Sequence, residues 1–325
     1  MTRGPAVEAA ATETGALAAG ARHIEIIEVG PRDGFQMEKT FLPTELKVKT
    51  IETLARSGLR EIEATSFVHP GVVPQMRDAA EVMERIERQP GVSYLALVPN
   101  FRGARRAFDA GVDGLRMVTC VTESYNRANV GLSVAESLQR FERVVEASAR
   151  RGLEVDAVLA ASFGCPFEGE VPRKRMVRVA KDFAAAGSRS LGLGDSAGLA
   201  TPLQVRELVT AIRDALPEMP LWLHLHDTRG LGMANALAAM ELGITRFDTS
   251  FGGLGGCPVV VGAAGNIATE ETVYMCQGMG LETGVDLDVV REASRGVQRF
   301  LGRPLPSRVL RAGTLDELVA ANASP

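Results

Sequence analysis

The chain has 325 residues, 46% hydrophobic and 23% charged, with a formal net charge of -4. This is the make-up of an ordinary globular protein, and it offers neither a basic footprint for nucleic acid nor a polybasic segment for a membrane surface. No apolar run approaches the ~20 residues of a membrane helix, and the 4 cysteines, Cys120, Cys165, Cys257 and Cys276, form no CxxC pair, which favours reduced thiols in the cytoplasm over a disulfide framework.

Residues 1–22 are rich in Ala, Gly and Thr and lack the apolar core of a signal peptide, while Glu8 and Glu13 interrupt any transit-peptide character; they read as a disordered tail. From His23 onward one pattern recurs. A first strand is expected at His23–Val29, and thereafter helical stretches end in Gly and feed short β-branched or Leu-rich runs. Gly58 precedes a strand at Glu61–Thr65, Gly111 one at Leu115–Thr119 and Gly152 one at Val155–Leu159. Gly187 precedes Ser190–Leu193 and Gly243 precedes Ile244–Asp248. Glycine takes the left-handed conformation that stops a helix without a Cβ penalty. With Tyr94–Val98 and Leu221–His226 the strands number eight, alternating with helices. Alternation implies a parallel sheet, and over residues 23–285 its size is that of a (β/α)8 TIM barrel, with an open doubly wound sheet as the competing fold. Residues 286–325 change to two helical stretches, Leu287–Phe300 and Leu315–Asn322, expected to form a short helical C-terminal cap.

A (β/α)8 barrel places its active site at the C-terminal ends of its strands. There the sequence has Gly30-Pro-Arg-Asp-Gly-Phe-Gln36, then Glu63 with Thr65-Ser66, Asn100, Ser162 and Asp195. Strand seven ends in His224 and His226, and Gly253-Leu-Gly-Gly-Cys257 and Asn266 follow strand eight. Strand interiors read as apolar. Only 4 His occur in the chain, and residues two apart on a strand share a face. The His-x-His pair could be core histidines bonded to carbonyls, but at the end of an apolar strand and before Asp227 it points to a metal site.

Together, Val29-Gly-Pro-Arg-Asp-Gly34, Ile62-Glu-Ala-Thr-Ser-Phe67, Gly164-Cys-Pro-Phe-Glu-Gly169, Leu193-Gly-Asp195, His224-Leu-His-Asp-Thr228, Gly253-Leu-Gly-Gly-Cys-Pro258 and Gly265-Asn-Ile-Ala-Thr-Glu-Glu-Thr-Val-Tyr-Met275 resemble the 3-hydroxy-3-methylglutaryl-CoA lyase family of metal-dependent barrels. The resemblance runs from about Ile24 to Val289. It implies that Asp33, His224, His226 and Asn266 bind a divalent cation, and mixed N and O donors without thiolate suit Mg²⁺ or Mn²⁺. It also implies retro-Claisen cleavage of a tertiary 3-hydroxyacyl-CoA to a ketone and the enolate of acetyl-CoA. Arg32 would stabilise the enolate oxygen, and Cys257 would protonate its carbon from a glycine-rich loop. Glu63 would hold Arg32, and Asp195 would take part in proton transfer. Gln36, Ser66 and Ser162 are candidate substrate contacts. The expected partner is a small acyl-CoA, with no nucleic acid or membrane, and the chain is expected to be a homo-oligomer.

Three segments depart from the family pattern. Gly34-Phe-Gln-Met-Glu38 stands for Gly-Leu-Gln-Asn-Glu, Gly71-Val72 for a Lys-Trp pair, and Gly302-Arg-Pro304 for an Asn-Arg-Lys element that contacts CoA. The catalytic positions persist while pocket positions vary, which also admits a related thioester such as citramalyl-CoA. A condensing synthase of the same superfamily shares Arg32-Asp33 and His-x-His but lacks the Gly-Gly-Cys loop. Biotin-dependent carboxyltransferases need a modified lysine not found here. A non-catalytic metal-binding scaffold would be free to lose Arg32 and Cys257, and both are present.

Overall fold

A computed structural model describes residues 22–256, 260, 262 and 264–323. Strand β1 (Glu25–Glu28) is hydrogen-bonded to β2 (Glu61–Ser66) on one side and to β8 (Arg246–Thr249) on the other, both in parallel register. Between them β3 (Ser93–Leu97), β4 (Gly114–Cys120), β5 (Val155–Ala160), β6 (Leu191–Asp195) and β7 (Leu221–Leu225) follow in chain order. The sheet is therefore a closed (β/α)8 barrel and not an open one. All eight strands lie where the sequence places them, with ends moved by at most about two residues.

Helices α1 (Thr44–Arg56), α2 (Ala79–Arg85), α3 (Phe101–Asp109), α4 (Glu123–Val130) and α5 (Val134–Ala149) accompany the first half of the barrel. Helices α6 (Arg173–Ala185), α7 (Pro202–Ala215), α8 (Gly232–Glu241) and α9 (Thr269–Gly278) accompany the second. Their boundaries have local causes. Ser133 and Glu136 form a reciprocal capping box at the start of α5, as Thr201 and Gln204 do at α7, where Pro202 opens the first turn. All five glycines read as helix stops have positive φ. At Gly58 a Cβ would also lie 2.0 Å from the carbonyl oxygen of Gly284, so glycine is required there twice over.

Beyond the barrel, α10 (Leu287–Leu301) packs alongside α1 and α9 in the helical ring. A short α11 (Arg308–Ala312), not anticipated from the sequence, precedes α12 (Leu315–Ala323). The connection between α10 and α11 returns to the barrel mouth. Arg303 donates to Glu38 at 2.5 Å, and the Ser307 N–H donates to the Gly252 carbonyl at 2.9 Å. Among the described residues no helix is long and apolar enough to cross a membrane. The expected N-terminal tail lies outside the described residues, apart from Arg22.

The expectation of apolar strand interiors is wrong for the inside of the barrel. Outward-facing residues such as Ile26, Ile62, Ala96 and Leu115 build the apolar layer beneath the helices. The inward faces carry buried charge: Glu61, Glu63, Arg116, Asp156 and Asp248. A run such as Leu115-Arg-Met-Val looks apolar on average, yet its period of two sends the one charge inward. These charges are paired, as burial demands. Arg189 donates to both oxygens of Asp156, at 2.8 and 2.5 Å, and Arg246 reaches Glu25 at 3.0 Å and Glu61 at 2.8 Å. Trp222 crosses the interior and donates its indole N–H to Ser190 at 3.0 Å. Gly192 makes room for it, since a Cβ there would sit 2.4 Å from the indole ring.

Candidate active site

After β1 the chain makes one π-type turn, Gly30–Gly34, with Pro31 at its start. The turn is anchored by the buried Glu28 carboxylate, which accepts the Gly30 N–H at 2.7 Å, the Phe251 N–H at 3.0 Å and the Thr269 hydroxyl at 2.6 Å. Glu28 thus ties the segment after β1 to the one after β8, although burial pushes its own pKa up to about 8. The turn presents Arg32 and Asp33 to the barrel mouth, both almost fully buried. Glu63 stands beside a register irregularity in β2 between Glu63 and Thr65. It receives Arg32 in a fork, Nε to Oε1 at 2.7 Å and Nη2 to Oε2 at 3.1 Å. Arg32 Nη1 reaches Asp33 Oδ1 at 2.5 Å, and Gln36 Nε2 donates to the same oxygen at 2.9 Å. Burial opposes the Asp33 charge, but Arg32 and the two histidines outweigh it and hold the carboxyl below its usual range.

The end of β7 brings His224 and His226 together with Asp33, their ligand-type atoms all within 4.8 Å of one another. Hydrogen bonds settle the tautomers. His226 Nδ1 faces the Ala264 carbonyl at 3.2 Å, and His224 Nδ1 faces Asp248 Oδ2 at 3.0 Å. Both partners only accept, so each Nδ1 carries a proton and each ring turns its Nε2 inward. The two Nε2 atoms lie 3.1 Å apart. With a proton on one Nε2 this is an N–H···N hydrogen bond; with both deprotonated, about 3 Å is also the spacing of adjacent ligands around an ion ~2.1 Å from each. Burial and the neighbouring His224 pull His226 down to about 4, whereas Asp248 and Asp33 outweigh burial and raise His224.

Asn266 completes the group. It pairs with His226 through a backbone bridge, and its Nδ2 donates to Asp33 Oδ2 at 2.7 Å and to the Leu254 carbonyl at 3.2 Å. Its Oδ1 is buried without a hydrogen-bond partner. A carbonyl oxygen left unpaired beside a carboxylate and two imidazole nitrogens is the donor set of a hard divalent cation. The four residues therefore fit the cation that the sequence led us to expect. The backbone of Gly255 lies directly over them, for a Cβ there would be 2.4 Å from Asn266 Nδ2 and 3.2 Å from Asp33 Oδ2.

The other sequence-predicted residues divide. Asp195 is buried at the end of β6, and its carboxylate accepts the N–H groups of Leu199 at 2.8 Å and Ala200 at 3.0 Å. Burial raises its pKa despite those bonds and the nearby His224. Ser66 and Ser162 are buried but locally engaged: Ser66 Oγ accepts the Val68 N–H at 3.3 Å, and Ser162 Oγ donates to the Leu159 carbonyl at 2.6 Å. Neither hydroxyl joins the cluster around Arg32. Cys257 lies outside the described residues; Gly255, two residues before it, touches the cluster.

Three residues that support the site escaped the sequence reading. Asp248 orients His224, and its signal was its place at the end of β8, where it pairs in register with His224. Arg116, fully buried on β4, donates to Glu63 Oε2 at 3.2 Å and to the Asp248 oxygens at 3.0 and 3.2 Å. Its only signal was a lone charge within an apolar strand. Glu270, also overlooked, is pushed up to about 7 by burial and accepts the Gly252 N–H at the root of the glycine-rich segment.

Known proteins match this chain over most of its length. The HMGL-like family model matches residues 23–297. Hydroxymethylglutaryl-CoA lyase YngG of Bacillus subtilis is 42% identical over 289 residues, covering 89% of this chain and 97% of that protein. The mitochondrial hydroxymethylglutaryl-CoA lyase of Bos taurus is 39% identical over 302 residues, covering 93% of each. Among solved structures, an HMG-CoA lyase from Acinetobacter baumannii in complex with coenzyme A and 3-methylmalate superposes with a TM-score of 0.87 at 39% identity, covering 91% of this chain and 97% of that one.

Proposed function

Because the chain belongs to the HMGL-like family, we propose that it cleaves 3-hydroxy-3-methylglutaryl-CoA to acetyl-CoA and acetoacetate, using a divalent cation, Mg²⁺ or Mn²⁺. The observation that carries the reading is the convergence of two Nε2 atoms, Asp33 and the unpaired Asn266 Oδ1 beside the Arg32 fork. Asp33, His224, His226 and Asn266 would hold the ion. When bound, the cation supplies Lewis acidity toward the substrate oxygens.

The chain's own residues have three tasks. Arg32 uses three of its five N–H donors on Glu63 and Asp33, leaving two for one oxygen. Those two stabilise the thioester oxygen as the C2–C3 electron pair moves into the enolate. The proton leaves the C3 hydroxyl oxygen as the ketone forms, and Asp195, buried and raised in pKa near His224, would take it up. Cys257 delivers a proton to C2 and returns to the thiol from solvent, so one proton is lost and one gained per turnover. The short, glycine-lined approach of Gly255 to the cluster supports Cys257 as that acid. The three described cysteines, Cys120, Cys165 and Cys276, are all buried, which suits a reducing cytoplasmic setting.

The test is a cleavage assay over a panel of 3-hydroxyacyl-CoA thioesters, including citramalyl-CoA, with products identified by mass and the ion removed and restored. Cleavage of the hydroxymethylglutaryl thioester that is lost in chelator and recovered with Mg²⁺ or Mn²⁺ is expected. Full turnover in chelator, or cleavage of another thioester only, would overturn the reading.

A further inference from the structure

Arg116 lies away from the mouth, on the middle of β4, and has no part in the reaction described above. Its contacts nevertheless join two halves of the site. One nitrogen, Nη1, lies within 3.2 Å of Glu63 Oε2 and of both Asp248 oxygens. Glu63 is the carboxylate that grips Arg32, and Asp248 is the one that orients His224. The guanidinium is held against the Trp222 ring, with Cζ 4.2 Å from the ring centroid, and Trp222 is seated by Ser190 and Gly192. Four strands, β2, β4, β7 and β8, thus meet at a single cation.

We propose that Arg116 is a positioning residue, its Nη1 bridging Glu63 and Asp248 and through them fixing both the Arg32 fork and the His224 ring. A purely structural role fits the observations less well. Buried ion pairs rarely stabilise a fold more than apolar packing of equal volume. Arg116 is moreover imperfectly satisfied, with Nε and Nη2 buried and without partners. A residue selected for stability alone would not leave two donors unpaired in the barrel centre. With one shared nitrogen, neither carboxylate can turn without disturbing the other, so the enolate-facing donor and the imidazole keep a fixed relation. Supporting groups of this kind typically contribute about 10–100-fold to activity when a liganding histidine depends on them.

The inference rests on the lyase reading, and its test separates the two. In Arg116→Met, kcat for the hydroxymethylglutaryl thioester is expected to fall about 10–100-fold with KM within about threefold, because Arg116 does not reach substrate. Arg116→Lys, which keeps a cationic nitrogen, should recover at least a third of the wild-type kcat. In an Asp248→Asn background, Arg116→Met should cost much less than alone, since the two act as a unit. Independently of turnover, the downfield Nδ1 proton of His224 in ¹⁵N-histidine-labelled protein should shift or vanish in Arg116→Met and return in Arg116→Lys. A wild type that cleaves no thioester would overturn the lyase reading, while the histidine signal would still decide the positioning role. A folded Arg116→Met with wild-type kcat and an unmoved His224 signal, or additive effects with Asp248→Asn, would overturn the inference. If Arg116→Met alone does not fold, the charge-balanced Arg116→Met/Asp248→Asn protein and Arg116→Lys decide it: a loss of kcat in the pair relative to Asp248→Asn of less than about tenfold, left by the Glu63 arm alone, supports the role, and a larger loss refutes it.

Discussion

Replacing Arg32 by Lys isolates geometry from charge. Arg32 spends Nε–H and one Nη2–H on Glu63 and one Nη1–H on Asp33, so one Nη1–H and one Nη2–H remain for substrate. Lysine has three N–H donors on one nitrogen. Satisfying Glu63 and Asp33 takes two of them, and one donor remains where two stood. Losing one preorganised donor to a developing oxyanion costs about 2.7–4 kcal/mol, or roughly 10²–10³ in rate. The loss should fall on kcat, with KM little changed, because the second bond tightens only as charge moves onto the thioester oxygen. Steady-state kinetics at saturating cation measure this, with circular dichroism and thermal melting to establish an intact fold. A folded Arg32→Lys enzyme within twofold of wild-type kcat would show that Arg32 serves only to hold Glu63 and Asp33.

The remaining predictions concern the acid, the barrel interior and the loop anchors. Cys257→Ser should retain cation binding but lose turnover, because a hydroxyl is a far weaker acid than a thiol of reference pKa about 8.5; normal kcat in that variant, measured beside Cys165→Ser and Cys276→Ser controls, would assign the acid elsewhere. Gly192→Ala should destabilise the protein by about 1–3 kcal/mol, since the new Cβ would sit 2.4–2.7 Å from the Trp222 ring; an unchanged urea midpoint would mean that the indole moves freely. Glu28 has its pKa raised from 4.5 to about 8 by burial, so between these values the folded state holds a proton that the unfolded chain has released. Its contribution to stability is present below pH 4.5 and is lost as pH rises toward about 8. The stability advantage of wild type over Glu28→Gln should therefore shrink across that window, and urea titrations showing it grow would contradict the burial argument.

Much of this protein is local in origin and was legible in the chain. Glycines with positive φ end the helices, capping boxes begin them, and β-branched runs follow within a few residues. Eight such units need only the right-handed crossover to close a barrel. The residues that cluster at the barrel mouth, Arg32, Asp33, Glu63, His224, His226 and Asn266, were legible for a related reason: the fold dictates that strand ends converge, so polar residues at those positions become neighbours whatever their separation in sequence. Tertiary structure alone decided which inward-facing charges meet. Asp33 and Asn266 are 233 positions apart, and Arg116 and Asp248 are 132 apart. Average hydropathy hides a single inward charge among outward apolar residues, so Arg116 and Asp248 looked like incidental polar residues on buried strands. Ser66 and Ser162 were legible as polar residues at strand ends, whereas their bonds to nearby backbone were not. Position along a strand says which end of the barrel a side chain occupies. Which partner it takes there depends on the register of neighbouring strands and on the desolvation cost that forces every buried charge to find an opposite one.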